Sequence, residues 1–298
     1  MHNFEYQAVA TLDEAVQLLE QHRGKARLLA GGTDLIDQMR IGRHTPEFVI
    51  DVKKIAELNR LDLATDGLYV GAAVPCYRIT GHTELSRQYA ALSDSCCIIG
   101  GIQIQSRATL GGNLCNSGPA ADSIPAMIAL GGSCLIRGPA GSRELPIESF
   151  CTAPSKNVLQ AGELVVEIRF PPRAPRSGSH YRRMIPRNEM DIAVVGVGAS
   201  VELDESLSHF VSVRVGLGAV APTPLLAGAV ADALAGQPVN GSSFARAAEI
   251  ARQSIAPITD MRGTREYRIH ATGVMVPRVL EMAVARARGE DANYRVGH

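Results

Sequence analysis

Several features are missing from this sequence, and each absence removes a class of function. Its 30 lysines and arginines are balanced by 30 aspartates and glutamates, with no block of like charge, so the electrostatic footprint of a nucleic-acid binder is lacking. No uninterrupted apolar segment is long enough to span a bilayer. The opening residues Met1-His2-Asn3-Phe4-Glu5 lack a basic stretch followed by an apolar run, so a cytoplasmic protein is expected. The six cysteines (Cys76, Cys96, Cys97, Cys115, Cys134, Cys151) include no C-x-x-C pair, and no histidines stand at zinc-site spacing, so no metal is expected. Such thiols fit small buried groups better than disulfides, the Cys96-Cys97 pair within an apolar run especially. Neither G-x-G-x-x-G nor a glycine run followed by Gly-Lys-Ser/Thr occurs, which disfavours a Rossmann site and a P-loop. No internal repeat is visible.

What is present is enough chain for two modest domains: 298 residues, 46% hydrophobic and 20% charged. Thr11-Leu12-Asp13-Glu14 has the capping-box pattern and opens an amphipathic helix carrying Leu12, Ala15, Val16, Leu18 and Leu19. Arg27 to Ala30 reads as a strand that stops at Gly31-Gly32-Thr33-Asp34, and Leu35, Ile36 and Met39 then follow at helical spacing. Phe48 to Asp51 and Leu68 to Gly71 read as strands, and Ser86 to Ile99 as a helix with Tyr89, Leu92 and Cys96 on one face. The Gly-, Asn-, Ser- and Thr-rich stretch from Gln103 to Pro119 is expected to be irregular for most of its length. Asp122 is a candidate cap for a helix from Ile124 to Leu130. Ser133 to Arg137 and Leu164 to Phe170 read as strands.

The Pro/Gly/Ser-rich segment from Phe170 to Ser179 is the expected domain junction, dividing the chain into 1–175, 176–290 and a tail, 291–298. Beyond it, Val194 to Leu203 and Phe210 to Val220 read as antiparallel neighbours. Leu225 to Leu234, Phe244 to Ile255 and Thr264 to Arg288 read as helices, with Pro277 expected to kink or break the last. The polar end, Glu290 to His298, is expected to be loosely ordered unless a partner holds it.

Glycines matter at phosphate sites because a missing Cβ lets backbone N–H groups approach a bulky anion. Ala30-Gly31-Gly32-Thr33-Asp34-Leu35 has that form, and so does Thr109-Leu110-Gly111-Gly112-Asn113-Leu114. Either alone is more often a simple turn. Together, each placing a hydroxyl beside paired glycines, they point to a dinucleotide whose pyrophosphate lies between them.

These residues resemble a known family, the FAD-binding medium subunits of molybdenum hydroxylases of the xanthine dehydrogenase and carbon monoxide dehydrogenase type. The markers are A-G-G-T-D-L at Ala30 to Leu35, T-L-G-G-N at Thr109 to Asn113 with Asp122, and Tyr181 with Asp191-Ile192-Ala193. The last marker is Asp260-Met261-Arg262-Gly263-Thr264 with Glu266-Tyr267-Arg268.

The resemblance implies an α+β chain: a two-lobed FAD-binding domain of the p-cresol methylhydroxylase type, then a small C-terminal domain with an antiparallel sheet and helices. It implies that Leu28, Leu29, Ala30, Gly31, Gly32, Thr33, Asp34 and Leu35, with Thr109, Gly111, Gly112 and Asn113, hold the pyrophosphate region. The Thr33 and Thr109 hydroxyls would be donors. Asp122 would accept from the polyol or ribose, Ile99 and Val165 would touch the cofactor, and Arg183 would approach it. Taken alone, Ile99 and Val165 read as core residues and Arg183 as a solvated surface charge. The family often carries a basic residue and Asn just upstream of the second loop, where this chain has Gln105-Ser106, so one charged contact to phosphate or partner is either missing or supplied by Arg107. Some relatives insert a cysteine-rich cluster-binding segment after that loop; here Cys115 runs directly into Asn116-Ser117-Gly118-Pro119, so no cluster is expected.

By the same resemblance, FAD would carry the redox chemistry and no residue of this chain would act as catalytic acid or base. A large molybdopterin-binding subunit and a small subunit with 2Fe-2S clusters would be its partners, in a dimer of heterotrimers. Two alternatives remain: a self-contained flavin oxidase or reductase, and a flavin-free scaffold. The scattered His44, His82, His180, His209 and His270 offer the first no evident base.

Overall fold

The computed structural model describes residues 1–187 and 190–290; the expected tail, 291–298, lies outside the described residues. The chain opens with a three-stranded parallel sheet. Strands Glu5–Ala8 and Ala26–Leu29 flank strand Phe48–Asp51. That central strand is buried at every position, as an apolar run between parallel neighbours requires. Helix Leu12–Gln21 begins as the capping pattern predicts: the Glu14 N–H donates to the Thr11 hydroxyl oxygen at 3.2 Å. The Glu14 carboxylate accepts from the Ala10 N–H, one residue further back.

A second, antiparallel sheet takes its strands in the order Leu61–Ala64, Gly67–Gly71, Leu164–Phe170, Ser133–Gly138 and Gly141–Pro146. Its strands and the helices beside them share one apolar interior with the parallel sheet, in which Ile50, Leu68, Leu92, Leu114 and Ile168 are fully or almost fully buried.

Three local expectations are corrected here. The segment from Ser86 to Ile99 is two helices, Thr83–Gln88 and Ala90–Cys96, broken at Tyr89, whose backbone leaves the helical region. Tyr89, Leu92 and Cys96 are nevertheless all buried, although Cys97 is exposed. The stretch from Gln103 to Pro119 is largely helical, with helices Ile102–Gln105 and Leu110–Asn116. Its glycines survive inside a helix because Gly111 packs directly on the backbone of Ala72, where a Cβ would collide. Helix Ser123–Ala129 does start after Asp122, but the Asp122 side chain makes no capping bond.

Past the Pro-rich segment, strands Ser177–Met184, Val195–Leu203, Phe210–Gly218 and Leu225–Leu226 form an antiparallel sheet in chain order. The expected helix from Leu225 starts later, at Gly228–Leu234, because its first residues pair with the sheet. Helices Gly241–Gln253 and Arg265–Ala287 cover the sheet and build a second core around Val197, Val215, Leu217, Val276 and Leu280. Pro277 sits inside one continuous helix rather than ending it. Proline removes the donor that would meet the carbonyl four residues earlier, at Gly273, and the Arg252 guanidinium lies against that glycine.

The two parts meet tightly. Gly196 pairs with Gly218 and Gly198 with Gly216 across neighbouring strands. A Cβ at Gly198 would stand 2.7 Å from the Pro125 carbonyl oxygen, so only a surface free of side chains lets helix Ser123–Ala129 lie on this sheet. Beside it, the Asp94 carboxylate binds His180 Nδ1 at 2.6 Å and Arg286 at 2.6 Å, and it accepts from the Tyr181 N–H.

Candidate functional site: two glycine pairs and Asp122

Strand Ala26–Leu29 delivers the chain to the carboxyl end of the parallel sheet, where ligands of open sheets commonly bind. Leu28 and Leu29 pair with Ile50 and Asp51. Ala30 to Asp34 then form a loop before helix Leu35–Arg40, with Leu28 to Thr33 half-buried and Asp34 exposed. Gly32 adopts φ of +79°, a conformation that favours glycine. At Gly31 a Cβ would fall on the Arg107 carbonyl oxygen, so the first loop touches the segment leading into the second.

Among the described residues, the N–H groups of Gly31, Gly32, Thr33 and Asp34 donate to no protein acceptor. A run of unmet donors in a half-buried loop is costly unless water or an anion meets it. Successive N–H groups around a left-handed glycine make a concavity suited to phosphate. The loop therefore fits a pyrophosphate on its own geometry.

The second pair behaves differently. Thr109 is buried, and its hydroxyl oxygen accepts from the Gly112 N–H at 2.9 Å, capping helix Leu110–Asn116. Its hydroxyl hydrogen is left for a further acceptor. The loops are tied again by Gln38 Nε2, which donates to Asn116 Oδ1 at 3.0 Å. Asn113 Oδ1 accepts from the Ser123 hydroxyl at 2.6 Å, which brings Asp122 beside the second loop.

Asp122 is where the two parts of the chain converge. Its carboxylate accepts from the Tyr181 hydroxyl at 2.9 Å and from Arg183 at 2.6 Å, both on strand Ser177–Met184. Burial pushes the Asp122 carboxyl up to about 6, against the opposing pull of Arg183 and Tyr181. Arg183 is thus a buried partner of Asp122 and not a solvated surface charge. The structure does not bring every candidate to the loops. Val165 lies inside its strand, opposite Ile136, although that strand packs on helix Leu110–Asn116. Ile99 is half-buried, just past helix Ala90–Cys96.

The Gln105 amide donates to the Cys97 carbonyl and Ser106 to the Gln103 carbonyl, so both serve the local backbone. Arg107 is exposed and forms no ion pair among the described residues. Tyr181 and the Gln38–Asn116 link are missed as site residues by the sequence. Tyr181 does carry a family marker, but nothing local marks Gln38.

Residues 2–173 match the family described as FAD binding domain in molybdopterin dehydrogenase, and residues 179–283 match the CO dehydrogenase flavoprotein C-terminal domain. The chain belongs to the FAD-binding medium subunits of the xanthine dehydrogenase and carbon monoxide dehydrogenase family of molybdenum hydroxylases. Within this family it is 33% identical to the xanthine dehydrogenase FAD-binding subunit of Escherichia coli O157:H7 over 287 residues, 96% of this chain and 97% of that protein. It is 30% identical to the carbon monoxide dehydrogenase medium chain of Afipia carboxidovorans, over 96% of this chain and 98% of the other. Among solved structures, carbon monoxide dehydrogenase from Hydrogenophaga pseudoflava superposes with a TM-score of 0.91 at 30% identity, covering 96% of this chain and 98% of that one. Quinoline 2-oxidoreductase from Pseudomonas putida 86 gives a TM-score of 0.88 at 27% identity, over 96% and 98%. The expected fold, an α+β FAD-binding domain followed by a C-terminal domain with an antiparallel sheet and helices, holds. Among the described residues no group of His, Cys, Asp and Glu could hold a metal ion, and no helix is long and apolar enough to cross a membrane.

Proposed function

We propose that this subunit binds FAD against the two glycine pairs and serves as the electron-transfer station of its molybdenum hydroxylase. It would accept electrons from the 2Fe-2S clusters of a small subunit and pass them to an external acceptor. A large molybdopterin-binding subunit would carry out the hydroxylation, and the assembly would be a dimer of heterotrimers. When bound, FAD supplies the exchange between one-electron and two-electron carriers. The observation that carries this reading is the row of unmet N–H groups from Gly31 to Asp34, set against the Arg107 carbonyl.

In this reading the chain's own residues bind and orient. The Gly31 to Asp34 amides and the Thr33 hydroxyl donate to the pyrophosphate, and the Thr109 hydroxyl donates from the other side. Asn113 and Asp122 supply polar groups further along the cofactor, Arg183 balances the Asp122 charge, and the junction near residue 176 separates the cofactor domain from the one that covers it. Several histidines are already occupied: His82 Nδ1 caps helix Thr83–Gln88, His180 binds Asp94, and His209 binds Ser208. That leaves little for a self-contained oxidase to use as a base.

The test is an absorption spectrum of the gently purified chain, acid release of any chromophore, and rapid mixing of the flavin-loaded chain with a reduced 2Fe-2S partner. Stoichiometric FAD that bleaches on mixing supports the proposal. A colourless chain that cannot be reconstituted contradicts it and favours a scaffold.

A further inference from the structure

Taking the glycine pairs and Asp122 as an FAD site, we propose that Tyr181 is a positioning residue for Asp122, fixing its carboxylate from the C-terminal sheet so that FAD retention depends on both parts of the chain. Tyr181 is only 3% exposed and belongs to the core of the N-terminal part, although it stands on the first strand of the C-terminal sheet. Its hydroxyl reaches Asp122 Oδ1 while Arg183 holds Oδ2, so the two oxygens are fixed by different partners. Gly196, opposite Arg183 on the next strand, is what leaves room for this contact. A Cβ there would stand 2.7 Å from the Tyr181 hydroxyl oxygen.

The arrangement does more than pack. A carboxylate this buried resists ionisation, and each donor facing it favours the charged form. Tyr181 and Arg183 are the groups that do so. Cys97, following helix Ala90–Cys96, lies within electrostatic reach of Asp94, Arg183 and Arg286. On the far end of helix Ser123–Ala129, Arg214 is occupied by the Ile128 carbonyl and Glu148. Removing the Tyr181 hydroxyl therefore raises the pH at which Asp122 becomes an acceptor-only group.

The experiment titrates FAD into the full-length apo chain, following flavin fluorescence between pH 5 and 8, for wild type, Tyr181→Phe and Gly196→Ala. Thermal unfolding of each apo protein is measured alongside. Tyr181→Phe keeps the ring packing. It is expected to weaken FAD binding about tenfold, roughly 1.4 kcal/mol, and to move the acid-side loss of binding to higher pH than in the wild type, because burial already favours the neutral Asp122 carboxyl and one opposing donor is gone. Gly196→Ala, which displaces the hydroxyl without removing it, should move both in the same direction. Unchanged affinity, or weaker binding with an unmoved pH midpoint, overturns the positioning role. A wild-type chain that takes up no FAD at any pH overturns the cofactor reading and this role with it.

Discussion

The two glycine pairs look alike in sequence and differ in backbone chemistry. In Gly31-Gly32-Thr33 the hydroxyl follows the glycines, the chain is irregular, and its N–H groups have no protein partner among the described residues. In Thr109-Leu110-Gly111-Gly112 the hydroxyl precedes them, caps a helix and takes up the Gly112 N–H itself. The order of hydroxyl and glycine thus decides whether the donors are left for a ligand or consumed by the fold. The first pair leaves its donors open and the second chiefly packs.

Substitutions at the two pairs should separate these roles. The largest effect is expected from Gly31→Ala, where backbone meets backbone and the flexible end of a side chain is not there to yield. FAD affinity should fall more than about 100-fold, roughly 2.7 kcal/mol, read by fluorescence titration. Gly111→Ala should instead act on the fold, costing about 1–3 kcal/mol in denaturant unfolding by overpacking against Ala72. Its FAD affinity should suffer far less than that of Gly31→Ala.

The hydroxyls sharpen the contrast. Thr109→Ala loses a helix cap and should destabilise by about 1 kcal/mol, with Thr109→Ser restoring it. Thr33→Ala removes a side chain with no hydrogen bond among the described residues. It should leave stability within about 0.5 kcal/mol while weakening FAD binding severalfold. The smallest effect is expected at Gly112→Ala. Alanine favours a helix by roughly 0.5–1 kcal/mol, offset by crowding of the Thr109 hydroxyl, 3.0 Å from the new Cβ.

Much of the fold was legible because it is written in local patterns. The Thr11 cap, the apolar run of Phe48 to Asp51 and the antiparallel pair Val195–Leu203 and Phe210–Gly218 each need only a short window of sequence. The helical character of residues 102–116 was not legible, because paired glycines read as breakers until Ala72 is known to press on Gly111. Of the site, the glycine motifs and Asp122 were visible as candidates. The role of Asp122 was hidden, since its partners stand 59 and 61 residues away and its side chain resembles an ordinary helix cap. Taken alone, Arg183 reads as a surface arginine for the same reason: only the contact with Asp122 distinguishes it from one.

The most direct test is amide spectroscopy of the apo chain, with and without FAD, comparing Gly31, Gly32, Thr33 and Asp34 with Gly112. The account predicts large shifts and new exchange protection at the first four amides on binding, with Gly112 already protected and little changed. FAD bound at full stoichiometry with the Gly31 to Asp34 amides unshifted and unprotected would contradict it.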